Sequence, residues 1–421
     1  MDKFIINGGK KLNGKVKAGG AKNATLALIP ATLLASGTSK LFNTPELNDV
    51  YTMLKLVRHL GVQADFNDGT IELDTAGVSV LEAPYEHVKK MRASVYVLGP
   101  LLARHGYAKV SLPGGCAWGP RPINLHIEGL KKLGANIDLV DGYIIATAKR
   151  LQGNRINFDI PSVGATGNLL MAAVLAKGET ILNNAAMEPE ITNLAMMLNE
   201  MGAKIEGIET PILHIQGVDM LKPADVHTIP DRIEAGTLLV AGAITGGTVT
   251  VEGINPLHLY SVIAKLEESG VSVTYNGDSA TVNAAGVTPE AINVTTGPFP
   301  GYPTDMQAQW IAYMSVAEGV STVTDTIYRD RFTHVPELAR LGAMIEVKDN
   351  SAVIKGGNKL SGAKVMSTDL RASASLVLGG LAAHGRTEVL RIYHLDRGYQ
   401  RLEEKLKQLG AEIERVPGSE Y

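Results

Sequence analysis

Six times along its 421 residues the chain passes from the end of an amphipathic helix through a glycine and a small residue into a short strand, as in HLGVQADF from His59 and RLGAMIEV from Arg340. The glycines are Gly61, Gly134, Gly202, Gly270, Gly342 and Gly410, spaced by 73, 68, 68, 72 and 68 residues. A glycine between a helix and a strand is a helix C-terminal cap, so each segment reads as helix, cap, strand. A second series, Gly37, Gly106, Gly178, Gly247, Gly319 and Gly385, precedes the first by 24, 28, 24, 23, 23 and 25 residues and again separates an Ala/Leu-rich helix from an alternating strand. Each repeat therefore holds two helices, and a period near 70 residues implies one supersecondary unit repeated six times.

The first five repeats continue with two more β-like stretches, as in SAVIKGG and GAKVMS at 351–367, whereas the sixth stops at Tyr421. The missing piece is at the other end of the chain, where Gly8-Gly9-Lys10-Lys11-Leu12-Asn13-Gly14-Lys15-Val16 matches the stretch from Gly356 to Val365. The N-terminus is thus expected to complete the sixth repeat. Six units divide into three plus three, predicting one domain over 22–229 and another over 1–21 plus 230–421. A βαβαββ unit cannot bury both faces of its elements alone. The expected fold is α/β, with three repeats per domain sharing a helical centre under outer sheets and a candidate site in the interdomain cleft.

Composition narrows the function classes. Lys+Arg (40) nearly balances Asp+Glu (43), which argues against a nucleic-acid or membrane-surface binder and makes any anion site local. The longest apolar stretches, such as Ala93–Ala103, fall short of the roughly 18 residues of a membrane span. The start lacks a charged segment followed by an apolar one, and the single cysteine cannot form an intrachain disulfide, so a reducing cytoplasmic setting is the expectation. No P-loop, GxGxxG or HExxH pattern occurs, and no metal or nicotinamide cofactor is inferred.

Charge then marks the site. Aligned on the glycine after the first helix, the repeats place Lys22, Arg92, Gly164, Arg232, Asp305 and Arg371 in register at the helix start. Four cations there oppose the helix dipole, a conflict that a bound anion resolves. Arg121, Arg331 and Arg397 form a second register and are expected to open second helices. Such arginines serve ion pairs between repeats as readily as ligands, but as a set they suit a ligand with several phosphate or carboxylate groups. Asp305, the one acid of the first register, is either a helix cap or a base among cations. The extra residues of the second repeat fall in Pro113-Gly114-Gly115-Cys116-Ala117-Trp118-Gly119-Pro120-Arg121-Pro122. That glycine-rich loop reads as a lid carrying a reactive thiol, Cys116, although a lone cysteine is more often an inert buried hydrophobe.

These features, together with Ala21-Lys22-Asn23-Ala24, Met91-Arg92-Ala93-Ser94, Pro303-Thr304-Asp305-Met306-Gln307-Ala308-Gln309, Asp369-Leu370-Arg371-Ala372-Ser373 and Asp396-Arg397-Gly398-Tyr399, resemble the UDP-N-acetylglucosamine 1-carboxyvinyltransferases from end to end. The resemblance implies a two-domain inside-out α/β barrel of the EPSP synthase superfamily. It also implies transfer of enolpyruvyl from phosphoenolpyruvate to the 3′-hydroxyl of UDP-N-acetylglucosamine in peptidoglycan synthesis, with no obligate protein partner. Carried over residue by residue, Lys22, Arg121 and Arg397 surround phosphoenolpyruvate, Asn23 lies between the substrates, and Arg331 and Arg371 complete the positive site. Arg92, the loop of Arg121, Pro122, Ile123, Asn124 and Leu125, the Ser162-Val163-Gly164 turn, Asp305 and Ile327 correspond to nucleotide-sugar contacts. Cys116 would act as general acid and Asp305 as base, and the cysteine would be the target of the epoxide fosfomycin.

Two departures stand out: Ile160 where some members have a lysine, and Ala117-Trp118 beside the thiol. Two other functions stay open at this level. One is transfer to shikimate 3-phosphate, disfavoured by the cysteine loop; the other is a non-enzymatic UDP-sugar binder, disfavoured by Cys116, Asp305 and Arg397.

Overall fold

The computed structural model describes residues 2–89, 91–112 and 123–418. They divide into two compact units, one built from 1–19 plus 230–421 and the other from 20–229.

Every repeat makes a four-stranded sheet of one design. In the first, Thr38–Phe42 is flanked by Val226–His227 in parallel and by Thr70–Asp74 antiparallel, with Gln63–Asn67 outermost. The antiparallel pair is a hairpin, whereas the parallel strand requires a crossover through a helix. Because Val226–His227 follows the third repeat, the 20–229 unit closes on itself. In the other unit Asn13–Lys17 plays this part, pairing in parallel with Thr248–Glu252. The last sheet runs Lys364–Met366, Arg386–Leu390, Asp2–Asn7, Glu412–Pro417, so the N-terminal strand occupies the place a hairpin strand fills elsewhere.

The first helices of the repeats are apolar around their whole circumference, which suits only a fully enclosed position. Arg232–Ile244 buries every residue from Ile233 to Ile244. In the 230–421 unit it packs with Gln307–Met314 and Leu370–Ala382. In the other unit Leu98–His105 packs on Val163–Ala173, while Lys22–Ala31 meets the 3-10 turn Arg92–Val97. The second helices are one-sided: Asn48–His59 buries Val50, Met53, Leu54, Leu56 and Val57 and exposes Lys55, Arg58 and His59. Helices are thus central and sheets peripheral in each unit, and each unit has its own apolar core.

The six glycines after the second helices all have positive φ, between 88° and 104°. The other series departs from the sequence reading at one point, because the left-handed residue after Arg232–Ile244 is Gly246, with φ 67°. Gly247 is there for space: a Cβ would sit 1.9 Å from the Leu12 carbonyl oxygen. Close approach also explains Gly242 inside that helix, where a Cβ would lie 2.8 Å from Val282 and 2.9 Å from Val249 of the covering sheet.

The N-terminal strand is an integral part of its sheet. Phe4 is fully buried opposite Val389 and Arg415, whose guanidinium lies 5.2 Å from the ring centre. Phe4→Ala is expected to lower the unfolding free energy by about 3–5 kcal/mol in urea titrations; a loss below about 1 kcal/mol would mean that the strand is dispensable.

Candidate functional site

In the 230–421 unit the charged side chains converge on Asp305. Pro303 leads into the 3-10 turn Thr304–Met306, which runs directly into Gln307–Met314 and sets Asp305 at the start of a central helix. Its carboxylate does not cap that helix. Instead Arg331 Nη1 donates to Oδ1 at 2.8 Å and Arg371 Nη2 donates to Oδ2 at 2.9 Å. Arg371 is held in the first turn of Leu370–Ala382, where the Asp369 carboxylate accepts from the amides of Arg371 and Ala372. Arg331 precedes the helix Val335–Arg340 rather than opening it, and Arg397 likewise ends the turn Ile392–Arg397 ahead of Leu402–Gln408. Both arginines therefore come from loops. Gly398 follows Arg397 without a side chain because a Cβ would lie 2.6 Å from Leu370, which places half-buried Arg397 beside the start of the Arg371 helix.

Arg371 is 2% exposed and Arg331 7%. Charges so buried need partners, and a carboxylate with one guanidinium on each oxygen supplies one of the strongest. Burial works against the charge of Arg371, but Asp305, Tyr399 and Asp231 outweigh it and hold its pKa above the usual range. The Tyr399 ring lies 5.4 Å from that guanidinium, and burial raises its phenol, so the ring stays neutral. Beneath it, Gln309 Nε2 donates to the Asp305 carbonyl, the Thr237 hydroxyl and the Tyr399 hydroxyl. Arg331 Nε and Arg371 Nε and Nη1 are buried with no hydrogen-bond partner among the described residues. Two buried guanidinium groups sharing the oxygens of Asp305, with donors unused among the described residues, have the chemistry to pair with an anion. Arg232 follows the Asp231 cap of its helix and lies 5.7 Å from the Phe299 ring.

In the 20–229 unit Lys22 opens its helix, 3.5 Å from Asp49 Oδ2, with both side chains largely buried. Exposed Asn23 follows it. Arg92 opens the turn Arg92–Val97. Ser162 caps Val163–Ala173 by accepting from the Ala165 amide, the Val163 carbonyl accepts from Tyr96, and a Cβ at Gly164 would stand 3.2 Å from His126 Nε2. That turn is thus pressed against His126, whose ring is fixed by Asn168 at 3.0 Å. Half-buried Ile123 and Leu125 and exposed Asn124 lead into the same helix, Asn124–Lys132. Cys116, Arg121, Pro122 and Trp118 lie outside the described residues. Ile160 is exposed, as is Ile327 at 38%.

Sequence reading missed the buried supports Asp49, His126 and Asn168, and gave no role to Gln309 or Tyr399 although both stand in motif stretches that carry the family resemblance, because nothing in a local pattern distinguishes a polar residue under a site from one in a loop. A cavity of about 740 Å³ in the 20–229 unit is not the site. Leu34, Arg104, Arg150 and Leu175 line it at the C-terminal ends of central helices, opposite the Lys22 and Gly164 starts, and the two arginines there satisfy helix-end carbonyls. Among the described residues no His, Cys, Asp and Glu side chains are grouped to hold a metal, and no helix is long and apolar enough to cross a membrane.

Burial, with the Arg92 charge added, lowers the His126 pKa to about 4. The unfolded histidine takes its proton near 6.5 and the folded one only near 4, so this stability is complete above pH 6.5 and is lost as the pH falls towards 4. Unfolding titrations across that window are expected to show a loss to which His126 contributes up to about 3 kcal/mol, with buried His334, whose pKa is lowered to about 3, adding its own share, so that His126→Gln makes the slope shallower without abolishing it; an unchanged slope in the variant would assign the loss elsewhere.

The sequence matches the family EPSP synthase (3-phosphoshikimate 1-carboxyvinyltransferase) over residues 6–406. It is 55% identical over 424 residues to a UDP-N-acetylglucosamine 1-carboxyvinyltransferase from Chlorobium phaeovibrioides, covering 100% of both chains. It is 56% identical over 427 residues to one from Chloroherpeton thalassium, covering 100% of this chain and 99% of the relative. The fold superposes with a TM-score of 0.89 on the crystal structure of the enolpyruvyl transferase NikO from Streptomyces tendae, at 26% identity and 99% coverage of each.

Proposed function

The chain belongs to the EPSP synthase family, and from that membership we propose that Asp305, Arg331 and Arg371 form the part of its site that exchanges an internal carboxylate for the charge of phosphoenolpyruvate. The enzyme transfers the enolpyruvyl group of phosphoenolpyruvate to the 3′-hydroxyl of UDP-N-acetylglucosamine by addition and elimination, releasing phosphate, in the first step of peptidoglycan synthesis.

The observation that carries the site reading is the pair of buried guanidinium groups on the two oxygens of Asp305, with further donors unused. Phosphoenolpyruvate offers those arginines a carboxylate and a phosphate in place of Asp305. Lys22, Arg121 and Arg397 bind the same anion, and Asn23 lies against both substrates. Arg92, Arg121 to Leu125, Ser162 to Gly164 and Ile327 hold the nucleotide sugar.

Released from the arginines, the Asp305 carboxylate takes the proton of the sugar hydroxyl as its oxygen bonds to C2 of phosphoenolpyruvate, while the Cys116 thiol gives a proton to C3. In the second step the proton lost from C3 returns to the Cys116 thiolate, the C2–O bond to phosphate breaks with its electron pair leaving on phosphate, and the proton held by Asp305 departs with that phosphate, restoring the double bond on the sugar ether and both side chains to their starting states. Arginines already aimed at the carboxylate and phosphate stabilise the charge that shifts onto them in both steps, without reorganisation. Cys116 is the position an epoxide such as fosfomycin alkylates. Both substrates are charged small molecules of metabolism, which supports a cytoplasmic setting.

Phosphate release from phosphoenolpyruvate is expected with UDP-N-acetylglucosamine, and neither with shikimate 3-phosphate nor without an acceptor, and it should be lost in Cys116→Ala. Cys116→Ser should resist fosfomycin. The cysteine assignment fails if wild-type protein shows no covalent mass shift with the drug.

A further inference from the structure

Asp325 follows the strand Val320–Thr324, is fully buried, and has no place in the site as described so far. Its carboxylate accepts four hydrogen bonds. Oδ1 receives the Thr296 hydroxyl and the amides of Ile327 and Tyr328, all at 2.9 Å, and Oδ2 receives the Thr304 hydroxyl at 2.7 Å. A buried carboxylate is only an acceptor, and four donors satisfy it without a cation in contact. The two branches lead to different places. The amides belong to the loop that carries Ile327 and Tyr328, and the Tyr328 ring lies 5.5 Å from the Arg331 guanidinium. The Thr304 hydroxyl, with its proton committed to Asp325, turns a lone pair to Arg331 Nη1 at 3.1 Å, the same nitrogen that donates to Asp305.

From this geometry we infer that Asp325 is a positioning residue that sets two parts of the site at once: the Ile327 loop through its amides, and the Arg331–Asp305 pair through the orientation of the Thr304 hydroxyl. The inference rests on the reading of Asp305 and Arg331 as catalytic and substrate-binding groups.

The hydroxyl branch has a definite polarity. In Asp325→Asn the amide oxygen keeps the backbone donors while the amide nitrogen faces Thr304 and donates to it, turning the threonine proton towards Arg331, itself a donor. Thr304→Val removes the hydroxyl and leaves the loop amides bound. Hydrogen bonds to charged groups of this kind typically control about 10- to 100-fold in rate.

Steady-state kinetics of phosphate release with both substrates varied, alongside thermal unfolding of each variant, test the inference. Thr304→Val should lower kcat about 10- to 100-fold and raise KM for phosphoenolpyruvate, with KM for UDP-N-acetylglucosamine unchanged. Thr304→Ser should restore kcat to within about threefold, and Asp325→Asn should change kcat and both KM values. Kinetics within about twofold of wild type in Thr304→Val or Asp325→Asn, or equal losses in the serine and valine variants, would overturn the role, as would losses that merely follow reduced melting temperature. Wild-type protein without turnover on these substrates would instead overturn the functional reading on which the inference rests.

Discussion

Two guanidinium groups buried to the extent of Arg331 and Arg371 cannot remain there without a counter-charge, and Asp305 provides it with one oxygen for each. Much of the 230–421 unit can be understood as support for that arrangement. Asp369 caps the helix whose first turn holds Arg371, Tyr399 and Gln309 floor it, Thr304 turns a lone pair to Arg331, and Asp325 fixes Thr304. The pair also gives the unit a state in which its anion-binding donors are partly satisfied from within. In the proposed mechanism a substrate anion that took over those donors would release the carboxylate as a base in the same event, tying proton abstraction to occupancy of the anion site.

The repeat explains why these groups meet. Central helices apolar on every side must be enclosed, so their starts converge at one end of each unit. A position repeated at each helix start is then brought next to its equivalents. Arg371 and Asp305 occupy equivalent positions in adjacent repeats, and their contact is a consequence of that register. The other unit uses the same register differently. Lys22 is balanced by Asp49, whereas the start marked by Gly164 is left without a side chain and is covered by His126.

Much of this was legible in the sequence. The helix–glycine–strand period fixes elements that occur where the glycines place them, and the α/β class with central helices is the fold observed, shared with an enolpyruvyl transferase of known structure. The residues at the helix starts were legible for the same reason, since a cation in a helix's first turn contradicts the dipole and asks for an explanation. The loop arginines were less so: Arg331 and Arg397 precede their helices by several residues, because the turns before those helices are irregular and no periodic signal extends into them. Gly246, rather than Gly247, is the left-handed residue, a distinction that depends on how close the Leu12 backbone passes. Asp325 was invisible because its four donors come from residues 296, 304, 327 and 328, assembled by sheet pairing and a tight loop.

The exchange of Asp305 for a substrate anion is the claim on which this mechanism turns, and calorimetric titration of phosphoenolpyruvate into wild type and Asp305→Ala, without nucleotide sugar, tests it most directly. If the carboxylate competes for Arg331 and Arg371, the variant binds phosphoenolpyruvate more tightly than wild type although it cannot turn over. Weaker binding by the variant would contradict the exchange and make Asp305 a partner of the anion rather than its rival.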